Sequence, residues 1–349
     1  MAPDRTGHQD PDDDGSRNPG GHAIANRVTP PGPDAGPDGP TELSRRSWWR
    51  AIRGTLREFR RDNLSDVAAT LTYYAILSIF PGLVVLVALV GLFGDSTTGE
   101  IITNLTELTP GAVRDILTAA TQDLQAHRSS AGVIALVGLL AALWAASAYV
   151  SAFMRAANRI FDVPEGRPIW KTLPLRIGVT LLAGFLLIAS LLIVVLTGHV
   201  AEMVGGAFGI ESTVVRVWDI AKWPVLVLLV SLLFSLLYWA SPNARLGGIR
   251  WISPGSIFAV LLWLAASGLF AVYAANFSSY SRTYGALASV IAFLVWLWLS
   301  NLALLLGAQL DSELERQRAV YAGHPEHVEP YLQLRDSRKV PKAESETSR

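Results

Sequence analysis

Cysteine is absent from this chain of 349 residues. That excludes a disulfide framework, a cysteine nucleophile and any thiolate metal site. Charge is scarce as well: Asp, Glu, Lys and Arg make up 17% of the sequence, against about 25% in an ordinary soluble domain. The shortage is local. Six stretches, 67–94, 129–154, 177–201, 223–244, 251–281 and 283–310, contain none of the four. Each is longer than the ~20 apolar residues with which one helix crosses the hydrocarbon core. A soluble globular enzyme is therefore excluded. So is an outer-membrane barrel, whose strands are short and alternate in polarity. The expected fold is all-α, a polytopic membrane protein with six transmembrane helices at about 67–94, 131–154, 177–200, 223–241, 252–276 and 285–310.

The charge that is present balances, 29 Lys+Arg against 29 Asp+Glu, but it is sorted by side. With six spans, 24 Lys and Arg fall before span 1, in the second and fourth loops and after span 6, and 5 fall in the other loops. Positive residues collect on the inner side, so both termini are expected to be cytoplasmic. Residues 1–43 carry eight prolines, seven glycines and eight acids and show no secretory signal pattern. Such a segment buries too little apolar surface to offset its ordering entropy, so a disordered polar tail is expected.

In 44–66, Trp49, Ile52, Leu56 and Phe59 recur at helical spacing among seven arginines. This is the pattern of a basic amphipathic helix lying in an anionic headgroup layer. Nucleic acid is not expected as a partner, because the same arginines abut a membrane span. Thr109-Pro110 and the apolar stripe after it read as a short extracytoplasmic helix, and Ser253-Pro254 as the capped start of span 5. Residues 311–349 read as a charged cytoplasmic tail.

Inside the spans, polar side chains are few and therefore informative. Tyr73 and Tyr74 precede Pro81 in span 1. A proline removes a helical hydrogen bond, and a broken helix lined with hydroxyls suits a substrate path. A structural kink with tyrosines bonding across helices fits the same residues. Asn301 in span 6 needs a partner in hydrocarbon and so faces the bundle or a cavity. Gly138, Ala142 and Ala146 give span 2 a small-residue face for close helix packing, within the chain or in a homo-oligomer. The loop Asn158 to Pro168 is dense in paired charges and prolines and reads as an ordered turn. Arg155, Arg159, Lys171 and Arg176 around it are placed to receive anionic headgroups of membrane lipids. Tyr73, Tyr74, Pro81, Asn158, Arg167, Tyr284 and Asn301 are the candidates for lining or gating a path.

Three blocks in order resemble the YihY/BrkB family of bacterial inner-membrane proteins over about 45–320. They are Tyr73-Tyr74 with Ser78-Ile79-Phe80-Pro81, the Asn158 to Pro168 loop with Glu165 and Arg167, and Tyr280 with Tyr284-Gly285 continuing through Trp296 and Asn301 to Leu310. Family members often carry Glu where Gln309 stands, so a carboxylate there is not required. The resemblance implies a transporter or flippase-like exporter of a lipid or amphiphile. A non-transporting structural protein of the envelope is the alternative. Some relatives once carried the label ribonuclease BN. Metal-dependent phosphodiester cleavage needs clustered His, Asp or Glu at an open metal position. Of six histidines four lie in the tails, and His324-Pro-Glu-His327 is their one cluster. No catalytic residue, metal or cofactor is expected.

Overall fold

The computed structural model describes residues 29–91, 131–196, 212–276 and 286–340. A 3-10 turn at Pro40–Glu42 precedes α1 (Arg45–Arg61), α2 (Leu64–Gly91), α3 (Ala131–Ile160), α4 (Ile169–Leu196), α5 (Ser212–Ala240), α6 (Ile249–Asn276) and α7 (Ala286–Tyr321). Among the described residues there is no strand, only an isolated bridge between Ala244 and Leu334. Five helices are long and apolar enough to cross a membrane, over Leu136–Ile160, Ile169–Leu191, Ile220–Ala240, Pro254–Tyr273 and Val290–Tyr321. α2 adds the shorter apolar stretch Leu64–Ile79. Burial is inverted: Trp144 is 73% and Leu269 74% exposed, while Arg318 is 1% exposed. So much apolar surface turned outward marks contact with lipid. The chain is a multi-pass α-helical membrane protein.

α2 lies along α3 and α6 along α7, α1 and α2 also rest on α7, and α4 joins α3 to α5. α6 and α7 meet at Gly255 and Gly307, where a Cβ built on either residue would overlap the other's carbonyl oxygen. Only glycine permits this backbone contact. Trp263 Nε1 donates to Ser300 Oγ at 3.0 Å and Trp296 Nε1 to Ser267 Oγ at 3.1 Å, tying the same pair further out. Local signals explain the helix ends. Ser44 Oγ accepts the Ser47 N–H at 3.1 Å and starts α1. Asn63 (φ 49°) and Asp162 (φ 50°) turn the chain after α1 and α3 in the left-handed region that Asn and Asp tolerate.

Three expectations are corrected. Disorder does not extend across 29–43. Arg318 Nη1 donates to the carbonyls of Gly32, Pro33 and Ala35 at 2.9–3.1 Å, Gln333 Nε2 to Pro30, and Trp48 Nε1 to Pro40. Protein donors here replace the water that would keep such a segment loose. The last span does not give way to a solvated tail at 311, because α7 continues unbroken to Tyr321. Its charges find partners inside: Arg318 Nε reaches Glu315 at 2.6 Å, and Glu315 accepts the Gly247 N–H at 2.7 Å. α6 begins at Ile249, so Pro254 lies within it and not at its start. Proline interrupts the helical bonding there, and the Gly255 N–H donates to Asp311 Oδ1 at 2.7 Å, across the crossing. The Thr109-Pro110 helix lies outside the described residues.

A branched side chain at the crossing has no room. Gly307→Leu is expected to lower stability by about 1–3 kcal/mol or more through overpacking. Gly268→Ala, at an α6 position with nothing within 4 Å, should leave stability unchanged or slightly raised. Thermal unfolding of both variants in lipid nanodiscs checks the contrast.

Candidate functional site

The polar residues singled out in the sequence fall into two separate links. Inside the bundle, Tyr149 Oη donates to Asn301 Oδ1 at 2.8 Å, and Asn301 Nδ2 donates to Thr72 Oγ1 at 3.1 Å and Leu297 O at 3.0 Å. Asn301 is thus the satisfied joint of α2, α3 and α7. At the end of the bundle where α3 stops, Asn158 Nδ2 donates to Glu165 Oε2 at 2.9 Å. Arg167 grips both oxygens of that carboxylate at 2.7 and 2.8 Å, and its Nη2 also donates to Ser241 O at 2.7 Å. Asn158 Oδ1 accepts the Asn243 N–H at 2.7 Å. The ordered turn expected after span 2 is therefore knotted to the loop after α5.

The other candidates stand apart from these links. Tyr73 is exposed, edge-on to the half-buried Tyr74 with ring centroids 5.5 Å apart. The backbone of α2 is helical through position 81, but the side chain of Pro81 lies outside the described residues, as does Tyr284. Arg155 and Arg159 are exposed. Lys171 Nζ pairs with Asp336 Oδ2 at 2.7 Å, and the Arg176 guanidinium lies 5.9 Å from the Trp144 ring centroid. On the small-residue face of α3, Ala142 is buried.

The sequence reading overlooked the segment 322–340, which returns across the same end. Asn243 Nδ2 donates to Pro164 O and Asp336 O at 3.0 and 2.8 Å, and Arg335 Nε donates to Ala244 O at 2.7 Å. Tyr331 and Leu332 enter the main core, and Ser312 bonds Tyr331 Oη at 2.6 Å. The apolar residues Val328, Tyr331, Leu332 and Leu334 in a polar stretch were the available signal. His324 is buried with its ring nitrogen 3.0 Å from Val328 O, so it sits in a turn. Among the described residues no group of three or more His, Asp or Glu is placed to hold a metal ion.

Beside the knot lies a mixed-charge cluster. Arg61 and Arg316 both reach Asp162 (3.6 and 2.9 Å) and Glu329 (3.6 Å each). Burial pushes Asp62 up to about 6, with Glu58 adding to it and Arg61 and Arg159 opposing. Burial likewise pushes Asp162 up to about 6, with Glu329 adding and Arg316 and Arg61 opposing. Burial also raises Glu165, but the hydrogen bonds from Arg167 and Asn158 outweigh it and leave its carboxyl below the usual range.

A wide concavity lies elsewhere. α1 rests on α7 through a small face: Ala51 is fully buried, Thr55 nearly so, and a Cβ at Gly54 would overlap Glu313. Its stripe of Trp49, Ile52 and Leu56 consequently points outward. Between this helix, the Pro40–Glu42 turn, the first half of α6 and the stretch of α7 around Leu306 and Leu310 runs a groove of about 1000 Å³. Ile52, Leu56, Ile257, Phe258, Leu261, Leu306 and Leu310 give it apolar walls. It opens on the outer surface, since Leu56 and Leu261 are both exposed.

A sequence-family model described as Virulence factor BrkB matches residues 55–331. The chain belongs to the BrkB family. Similar proteins include the "Putative ribonuclease-like protein YfkH" of Bacillus subtilis, 28% identical over 260 residues, which are 74% of this chain and 93% of that protein. A UPF0761 membrane protein of Alkalilimnicola ehrlichii is 30% identical over 273 residues, 73% of this chain and 56% of that protein. UPF0761 membrane protein RSc1559 of Ralstonia nicotianae is 29% identical over 283 residues, 77% and 59% respectively. The chain thus spans less than two thirds of these two UPF0761 proteins. No solved structure matches it. Family and helices together make this BrkB-family chain a multi-pass protein of the bacterial inner membrane.

A carboxyl raised in the folded state takes up its proton before the unfolded chain does, so stability rises as pH falls through the folded pKa. Asp62 and Asp162 place that rise between about pH 7 and pH 4. The protein should melt at a higher temperature at about pH 5.5 than at about pH 7.5, and Asp162→Asn should flatten the difference. In the knot, Asn158→Ala leaves the Asn243 N–H without its acceptor and removes one of the donors to Glu165. It should cost about 1–3 kcal/mol in the same assay.

Proposed function

We propose that this BrkB-family protein takes a lipid or lipid-like amphiphile from the inner leaflet and moves it across or out of the bilayer. The observation that carries the reading is the groove of about 1000 Å³. It lies at the large end of the roughly 300–1,000 Å³ range of ligand pockets, and its apolar walls face where acyl chains lie. Asn158, Arg167 and Asn301 serve in this reading as the rigid frame against which the groove works. The exposed Arg155 and Arg159, with the arginines of α1, meet headgroup phosphates along the inner rim.

Six spans with both termini inside accompany this reading. The 24-to-5 division of Lys and Arg supports it. So does the meeting of α1, the α3–α4 turn, the α5–α6 loop and the C-terminal segment at one end of the bundle. Because the chain has no cysteine, single cysteines report cleanly. Glu326→Cys should react with a membrane-impermeant maleimide only after spheroplasts are permeabilised; labelling in intact spheroplasts would reverse the orientation.

The activity is tested with purified protein in vesicles carrying fluorescent phospholipids. Transbilayer movement should exceed that of empty vesicles. Filling the groove with Leu261→Trp should reduce it several-fold without loss of folding. Movement absent under every imposed ion gradient, or indifferent to Leu261→Trp, would overturn the reading.

A further inference from the structure

Fifteen residues line the groove, and Glu42 is the one that carries a charge. It sits at the polar end, on the turn that follows Gly39 and precedes α1, and it is exposed. The turn is held in place. Trp48 Nε1 donates to Pro40 O at 3.0 Å, and one oxygen of Glu42 accepts the Asp38 N–H at 3.1 Å. Arg45 and Arg46 follow within four residues, exposed in the first turn of α1. The mouth of an apolar slot therefore presents a carboxylate, and Arg45, at a helical position on the same face of α1 as the lining residues Trp48 and Ile52, follows three residues on. A purely anionic headgroup would meet repulsion from Glu42. A headgroup with a phosphate and a primary ammonium meets complementary charge at both positions, and an ammonium can donate to the carboxylate where a trimethylated one cannot.

Resting on the lipid-moving reading above, we propose that the groove selects aminophospholipids. Its apolar walls hold the acyl chains, Glu42 receives the ammonium, and Arg45 receives the phosphate.

The test uses the full chain in vesicles of mixed phosphatidylethanolamine, phosphatidylglycerol and phosphatidylcholine, each supplied in turn as a photoactivatable analogue. Crosslinks are mapped to residues 40–56 and 254–262. Phosphatidylethanolamine should label these segments about three- to tenfold more than either competitor, the range expected for one solvent-exposed hydrogen bond. Glu42→Gln keeps the acceptor for the Asp38 N–H and should erase that preference while total groove labelling persists. Glu42→Asp should retain part of it. Equal labelling by all three lipids, a preference for phosphatidylglycerol, or a preference unmoved by Glu42→Gln would overturn the selection and leave a lipid groove standing. Absence of labelling by any lipid, with Leu261→Trp changing nothing, would remove the groove as a lipid site and the selection with it.

Discussion

The structure depends on satisfying backbone and polar groups where the chain leaves the bilayer, and Asn243 is where this is done. Its N–H goes to Asn158, its side-chain amide to Pro164 and Asp336, its side-chain oxygen to the Asp336 N–H, and its carbonyl to the Arg335 N–H. One residue thereby joins the end of α3, the start of α4, the α5–α6 loop and the C-terminal segment. Unpaired, these groups would each carry a desolvation penalty. Paired, they make one rigid end for helices that elsewhere touch mainly through apolar and small side chains.

That rigid end sets the position of α1. α7 can continue past Asp311 only because Glu315 and Arg318 are paired inside the knot, and the continued helix supplies the ledge on which Ala51 and Gly54 rest. With its small face occupied, the amphipathic helix must turn Trp49, Ile52 and Leu56 away from the protein. The groove is the gap left between that outward stripe and the α6–α7 pair. The glycine crossing behind it fixes how close its far wall stands.

Much of the transmembrane part was legible in the sequence, because hydrocarbon admits so few backbone solutions. Charge-free runs already pointed to long apolar helices, and the apolar period within 44–66 to an amphipathic one before them. Asn301 was rightly read as needing an interhelical partner. What escaped was long-range pairing. Nothing local distinguishes Arg318 from a solvated arginine until its acceptors at Gly32, Pro33 and Ala35 are known, nearly the length of the chain away. For the same reason Arg167 read as a gate when it is held by Glu165 and Ser241. The groove arises from four elements that no motif connects.

The return of the C-terminal segment also has a consequence for biogenesis. Asn243 and Asp336 are 93 positions apart in the chain, so the acceptors and donors of the α5–α6 loop wait through the synthesis and insertion of α6 and α7. Until residue 336 has cleared the ribosome, that end of the bundle has the bonds of Asn158 and Arg167 to the α5–α6 loop but not those of the C-terminal segment. Final locking is thus a post-insertion event, and the assembled helices pass through a looser state in which α7 is not yet anchored.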